Sequence, residues 1–145
     1  MNSFKNKPMY KILLSAALLI TSFNLTAQSE QHKIVFDLNS SDTAAHSTVL
    51  RQFTNILKAE PGTELELVCH GQAVNMFVKD KLYFEEKIKE LKSKGKVSYK
   101  ICANSLRRYN IDKSQVSDLG EIIPVAMIEL SSKQKQGWTY IKAGN

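Results

Sequence analysis

Short apolar runs alternate with longer segments of mixed apolar and polar character from residue 32 onward. Two of these runs, at 63–71 and 96–102, show the every-second-residue pattern of a β-strand. The first run of the chain is apolar almost throughout, which is typical of a strand buried on both faces. Together the runs predict strands at 34–38, 63–71, 96–102, 119–123 and 138–142.

The segments between these runs follow a helical period instead. In 43–60 the apolar side chains recur at steps of three and four residues, which indicates an amphipathic helix. Asp42 or Thr43 is suited to cap its first turn. Pro61 ends it, because proline cannot continue the hydrogen-bond ladder of a helix. The same period predicts a charged helix over 80–94.

Two further helical segments follow the third predicted strand. One is a short turn capped by Asn104 or Ser105. The other is a helix over 124–135, with Pro124 as its first residue, a position that proline favours.

Strand and helix therefore alternate along the chain, which predicts a parallel sheet with helices on both faces. The composition, with 43% hydrophobic and 23% charged residues, is that of an ordinary globular protein. No internal repeat, low-complexity tract or linker divides the chain. We expect one α/β domain over 28–145.

The first 27 residues follow a different pattern. Lysines precede an apolar stretch at 12–20, and small and polar residues follow it up to Ala27. This is the pattern of a secretory signal peptide over 1–27. An uncleaved membrane anchor is the alternative, but a membrane span needs about 20 apolar residues and this stretch is shorter. We therefore expect an exported protein, periplasmic or secreted, with no membrane attachment after cleavage.

Cleavage also changes the charge of the protein. The formal net charge is +6, and loss of three lysines and no acid from 1–27 lowers it to +3. This charge is too small to predict a nucleic-acid partner, which usually meets a clustered basic surface. Export would also place the chain's cysteines in an oxidising compartment, where disulfides form readily.

Several common functional motifs are missing from the sequence. No glycine-rich phosphate loop follows the first strand, and no G-x-S-x-G motif occurs. The cysteines and histidines lack the paired spacing of a metal site. We therefore expect neither a metal nor a nucleotide cofactor.

The candidate chemistry lies at strand ends. In open parallel sheets, functional groups collect at the carboxyl ends of the strands, where Cys69, His70 and Cys102 are predicted to lie. Cys69 alternates in phase with Leu65 and Leu67, so it is expected in the core. His70 and Cys102 are in phase with the polar residues of their strands. If the two strands are neighbours, His70 and Cys102 share one side of the sheet.

Three interpretations of Cys102 remain open. It is a reactive thiol, an inert half-buried thiol, or half of a disulfide with Cys69. The disulfide is the least favoured, because the Cβ vectors of the two cysteines would diverge. A reactive thiol is favoured by the helix start that follows it and by the cations Lys100, Arg107 and Arg108, since both lower a thiol pKa.

His70 also has two interpretations. It is a base or a second positive charge beside the thiol, or a structural histidine in a turn after the second strand.

The order of short motifs resembles the DsrE/DsrF-like proteins. The motifs are "LELVCHGQAV" at the second strand, "VSYKICANSL" at the third, "EIIPVAMIEL" at the last helix, and "KQKQGWTYIKAG" near the end. The likeness covers nearly all of residues 32–143, and the predicted signal peptide lies outside it. Its specificity comes from the order of the motifs, since none of them is long.

The resemblance implies a fold and a role. It implies a five-stranded parallel sheet in a three-layer α/β/α sandwich, and a homo- or hetero-oligomer. In the sulfur-trafficking members of the family, the cysteine after the third strand carries a persulfide that passes between proteins. The residue in that place here is Cys102. Those members are cytoplasmic, whereas the signal pattern predicts export of this chain.

These observations together predict a sulfur carrier or sulfurtransferase-like protein that holds sulfane sulfur on Cys102, with His70 or Arg107 assisting. Its partners would be further copies of itself and a sulfur donor or acceptor protein. The first alternative is a non-catalytic oligomeric binding or scaffolding module. The second is a thiol redox protein that uses Cys69 and Cys102.

Overall fold

The computed structural model describes residues 31–144, and the predicted signal peptide at 1–27 lies outside them. The strands are β1 Lys33–Leu38, β2 Glu64–Cys69, β3 Val97–Cys102, β4 Glu121–Ile123 and β5 Thr139–Ala143. The α-helices are α1 Thr43–Ala59, α2 Glu85–Ser93, α3 Ala103–Arg108 and α4 Ala126–Lys135. Short 3₁₀ segments lie at Gly71–Phe77, Lys79–Lys81 and Lys113–Gln115. Within the described part of the chain, no helix is both long and apolar enough to cross a membrane.

The five strands form one parallel sheet in the order β4-β3-β2-β1-β5. This confirms the predicted α/β fold. The chain moves outward from β1 to β4 and then returns across the sheet to place β5 on the other side of β1. The strand order therefore reverses between β1 and β5, and ligands of open α/β sheets bind at the carboxyl ends of strands near such a reversal.

One face of the sheet carries the larger core. Helix α1 packs here with its apolar stripe, and Phe53 meets Phe36 of β1 edge-on with ring centroids 5.0 Å apart. Side chains from helices α2 and α3 and from the 3₁₀ segment Gly71–Phe77 complete this layer. The strand residues in this core include Leu38, Leu65, Leu67, Cys69, Tyr99 and Ile101.

The opposite face carries a smaller core under helix α4. Ala126 and Leu130 of this helix pack on strand residues from β1 to β4, namely Val35, Val68, Cys102 and Ile123. Helices therefore cover both faces, which gives the three layers of an α/β/α sandwich.

Two predicted helix boundaries are wrong. Pro124 does not begin the last helix, because Val125 has the extended conformation of an N-cap and the helix starts at Ala126. The Pro124 carbonyl instead accepts a hydrogen bond from Asn104 N–H at 3.3 Å. Likewise, the N-cap residue of α3 is Cys102, not Asn104 or Ser105. Both differences bring the two helix starts close to the end of β3.

The predicted helix over 80–94 is shorter in the structure. Only Glu85–Ser93 is α-helical, preceded by the 3₁₀ segment Lys79–Lys81. Leu82 and Phe84 both pack against the larger core. Side chains two positions apart do not face the same side of an α-helix, so the chain leaves helical geometry here to bury both.

Candidate functional site

A cavity of about 200 Å³ lies at the carboxyl ends of β2 and β3. Cys102, the last residue of β3, lines this cavity together with His70. The structure thus brings together the two residues that the sequence predicts as candidate site residues. The other lining residues are Gly71 and residues of α3 and of the start of α4, namely Asn104, Ser105, Arg108, Val125, Ala126 and Met127.

Cys102 is more buried than its place among polar strand positions predicts. Its exposure is only 4%, because α4 covers this face of the sheet and packs Ala126 and Leu130 beside it. Cys102 therefore lies within an apolar core, although the sequence places it in phase with the polar residues of its strand. The alternation fails as a guide to polarity here because both faces of the sheet are covered.

Hydrogen-bond donors surround the Cys102 sulfur. The amide of Ala126 at the start of α4 donates to Sγ at 3.4 Å. The Ser105 hydroxyl and the amides of Ser105 and Asn104, at the start of α3, lie near enough to lower the pKa of the thiol as hydrogen-bond donors. Burial raises the pKa of the thiol, but these donors together outweigh burial, so the net effect is a lowered Cys102 pKa. The site therefore favours the thiolate, which is the nucleophilic form of cysteine.

Ser105 is held in place by the neighbouring strand. Its Oγ accepts a hydrogen bond from the Gly71 amide at 2.8 Å, so its own hydroxyl proton remains available for the sulfur. Gly71 has a φ of +54°, a conformation that side-chain-bearing residues rarely adopt. The end of β2 thus supports the thiol at the end of β3 through one serine.

The predicted electrostatic assistance comes from different groups than expected. The largest effects that lower the pKa of Cys102 come from Ala126, Ser105 and Asn104, and not from His70 or Arg107. Arg107 donates to Asn104 Oδ1 at 3.1 Å. Arg108 is the arginine that lines the cavity, and its guanidinium lies 5.9 Å from the centroid of the Tyr109 ring.

His70 belongs to a polar cluster centred on Asp37 of β1. The His70 Nε2 lies 2.7 Å from Asp37 Oδ1. Tyr140 and Lys142, both of β5, donate to Asp37 Oδ2 at 2.7 and 3.2 Å. Asp37 is only 6% exposed, yet its carboxylate is satisfied on both oxygens.

This cluster keeps Asp37 ionised. Burial raises its pKa, but the hydrogen bonds from His70, Tyr140 and Lys142 outweigh burial and lower the pKa to about 2. The same bond raises the pKa of Tyr140 to about 12, since the phenol proton is held by the carboxylate.

Cys69 lies on the other side of the sheet. It is fully buried in the larger core, and burial raises the pKa of its thiol. Both cysteines are free. Because their side chains leave the sheet on opposite faces, a bond between them would require the backbone to move.

Sequence reasoning missed four members of this arrangement: Asp37, Ser105, Tyr140 and Lys142. Asp37 has a visible signal, because it is the one charged residue between Ile34 and Leu38 in a run that is otherwise apolar. A carboxylate in a buried strand needs partners. Ser105, Tyr140 and Lys142 have no comparable signal.

A protein-family model described as the DsrE/DsrF-like family matches residues 3–143 of the chain. No curated protein sequence matches it. A solved structure of a protein of unknown function from Methanobacterium thermoautotrophicum superposes with a TM-score of 0.72 at 20% identity, covering 77% of this chain and 99% of that one. A conserved protein of unknown function from Bacteroides thetaiotaomicron gives a TM-score of 0.62 at 14% identity, covering 76% and 93%. At these identities, the two structures support the fold alone.

Proposed function

The chain belongs to the DsrE/DsrF-like family, which is associated with sulfur relay, and we propose that it carries sulfane sulfur as a persulfide on Cys102. One observation carries this proposal. The Ala126 amide donates to a single buried sulfur, and polar groups at the start of α3 help to lower its pKa, in a cysteine that matches the position of the persulfide-bearing cysteine in the family resemblance.

The geometry suits sulfur transfer without a redox partner. The Cys102 thiolate attacks the outer sulfur of a persulfide donor, R–S–SH. A bond forms between Sγ and that sulfur, the S–S bond of the donor breaks, and the electron pair leaves on the donor's remaining sulfur. Delivery is the reverse reaction, in which an acceptor thiolate attacks the outer sulfur held on Cys102. Nothing is oxidised or reduced overall.

Burial supports storage of the sulfur between these two steps. Cys102 is reached through the cavity, so a bound persulfide is shielded from bulk thiols that would remove it. Arg108 and the donor groups give this cavity a positive character, and among its described lining residues none carries a carboxylate. That favours a thiolate or a persulfide anion.

The surface beside the cavity supports the proposed partners. Val125, Met127 and Ile128, at the start of α4, are 39%, 50% and 66% exposed. We propose that this apolar rim contacts either a further copy of the chain in a homo-oligomer or a sulfur donor or acceptor protein. The proposal of an exported protein, periplasmic or secreted, rests on the sequence pattern of residues 1–27.

The same rim favours a second candidate function, a non-catalytic oligomeric binding module. In that case the cavity and its rim bind a partner, and replacement of Cys102 leaves binding unchanged. A thiol redox protein that cycles Cys69 and Cys102 has no such support, since the two side chains lie on opposite faces of the sheet.

The test is uptake of isotope-labelled sulfane sulfur from a small persulfide by the reduced, folded protein. The proposal predicts uptake of one sulfur atom by the unmodified protein and by Cys69→Ala, and none by Cys102→Ala. Cys69→Ala is the matched control, because it removes the other thiol of the chain from the opposite face. Equal uptake by the two variants would contradict the proposal.

A further inference from the structure

Asp37 and His70 form a pair whose purpose the fold alone does not explain. A carboxylate that is 6% exposed is costly to bury unless it is fully paired. Here it is paired with three groups, and one of them, His70, lines the cavity that contains Cys102. The pair lies on β1 and at the end of β2, beside the reversal of strand order between β1 and β5.

The pair fixes the hydrogen-bonding state of the histidine. An ionised carboxylate only accepts hydrogen bonds, so His70 Nε2 carries the proton that points to Asp37 Oδ1. The ring nitrogen left for chemistry is then Nδ1, which has no hydrogen-bond partner among residues 31–144. Tyr140 and Lys142 bind the second oxygen of Asp37 and so prevent the carboxylate from turning away.

This arrangement separates His70 from the task of ionising the thiol. The groups that favour the Cys102 thiolate most are Ala126, Ser105 and Asn104, and His70 is not one of these main contributors. A histidine that lines the same cavity without acting on the thiol is available for the other reactant.

We propose that Asp37 is a positioning residue that holds His70 as the general acid for the departing thiolate of the sulfur donor. The inference rests on the proposed function of Cys102 and deepens it. It also defines the donor as a small persulfide whose departing thiolate is basic enough to need a proton.

The step balances in atoms and charge. The Cys102 thiolate bonds to the outer sulfur of R–S–SH, and the electron pair of the broken S–S bond goes to R–S⁻. Protonated His70 gives the proton on Nδ1 to R–S⁻, which leaves as R–SH, and His70 becomes neutral with its Nε2–H still bound to Asp37. The products are the Cys102 persulfide and a thiol.

The experiment measures the single-turnover rate of Cys102 loading with two donors. One is an alkyl persulfide, whose departing thiolate is basic. The other is an aryl persulfide, whose departing thiolate is stable without a proton. The variants are Asp37→Asn and His70→Gln, with Asp80→Asn as the matched control, since Asp80 is an exposed carboxylate in the 3₁₀ segment Lys79–Lys81.

The expected result is a donor-dependent loss. Because positioned general acids contribute roughly 10²-fold or more, Asp37→Asn and His70→Gln should slow the alkyl donor by about that factor. They should leave the aryl donor within a few-fold of the unmodified protein, and Asp80→Asn should match it on both donors. At a pH high enough to remove the proton from Nδ1, nitrogen NMR of the neutral ring should show a single Nε2–H tautomer for His70 in the unmodified protein and a mixture in Asp37→Asn.

Other outcomes would overturn the inference. If Asp37→Asn slowed loading from both donors equally, the role of Asp37 would be purely structural. If it slowed loading from neither donor, Asp37 would have no role in the reaction. In either case the unmodified protein still loads sulfur, so the proposed function stands. If the unmodified protein took up sulfur from neither donor, the proposed function itself would be wrong. Should Asp37→Asn fail to fold, Tyr140→Phe takes its place, because it removes one bond to Asp37 from an exposed position. It should slow the alkyl donor alone by a few-fold, and an unchanged alkyl rate would overturn the proposal.

Discussion

Replacement of Ser105 by alanine should raise the pKa of the Cys102 thiol. The Ser105 hydroxyl lowers the pKa of the thiol as a hydrogen-bond donor, while its oxygen accepts a hydrogen bond from the Gly71 amide at 2.8 Å. A hydrogen bond to a charged group is worth about 1.5–3 kcal/mol, and one pKa unit corresponds to about 1.4 kcal/mol. Loss of this donor should therefore raise the pKa by about one to two units.

The assay is the rate of iodoacetamide alkylation of Cys102 as a function of pH, read on the peptide that contains it. Ser105→Thr keeps a hydroxyl and should stay close to the unmodified protein. Ser114→Ala removes an exposed serine from the 3₁₀ segment Lys113–Gln115 and serves as the matched control. An unchanged alkylation profile in Ser105→Ala would refute the argument that hydroxyl donation favours the thiolate.

Two further predictions concern the supports of the site. The pKa of Asp37 is lowered to about 2 in the folded protein, whereas an aspartate in the unfolded chain has a pKa near 4. The cluster therefore stabilises the fold above about pH 4, and this contribution is lost as the pH falls from about 4 to about 2. The contribution is about 2 kcal/mol. Urea unfolding across this pH range should show it in the unmodified protein and not in Asp37→Asn. Equal acid dependence of the two proteins would contradict the assignment. Gly71→Ala should lower the free energy of unfolding by about 1–2 kcal/mol, because an alanine at φ +54° is strained. It should also slow alkylation of Cys102 by displacing the amide that holds Ser105, and a normal alkylation rate in a folded Gly71→Ala protein would argue against that coupling.

Much of the fold could be predicted because each strand has a recognisable residue pattern in its own local sequence. The run that ends at Cys102 alternates residue by residue, and the alternation correctly separates Cys69 from Cys102 across the sheet. The alternation of a strand does not show which helix covers each face of the sheet. Burial of Cys102 depends on α4, whose Ala126 follows it by 24 residues in the sequence.

The polar cluster was not predictable for a similar reason. The partners of Asp37 on β5 are 103 and 105 residues away in the sequence, and only the parallel pairing of β1 with β5 places Lys142 opposite Asp37. The helix start predicted at Pro124 is wrong for a local reason. Its carbonyl is used by Asn104 N–H, so the chain stays extended through Val125 before α4 begins.

The most direct test of the account is the chemical state of Cys102 in protein isolated from its native compartment, with free thiols and persulfides trapped by alkylation before purification. Peptide mapping should find the Cys102 peptide with one additional sulfur atom in a fraction of the molecules, and the Cys69 peptide without it. A Cys102 that is wholly an unmodified thiol, both there and after exposure of the reduced protein to a persulfide donor, would contradict the account. So would a disulfide between Cys69 and Cys102.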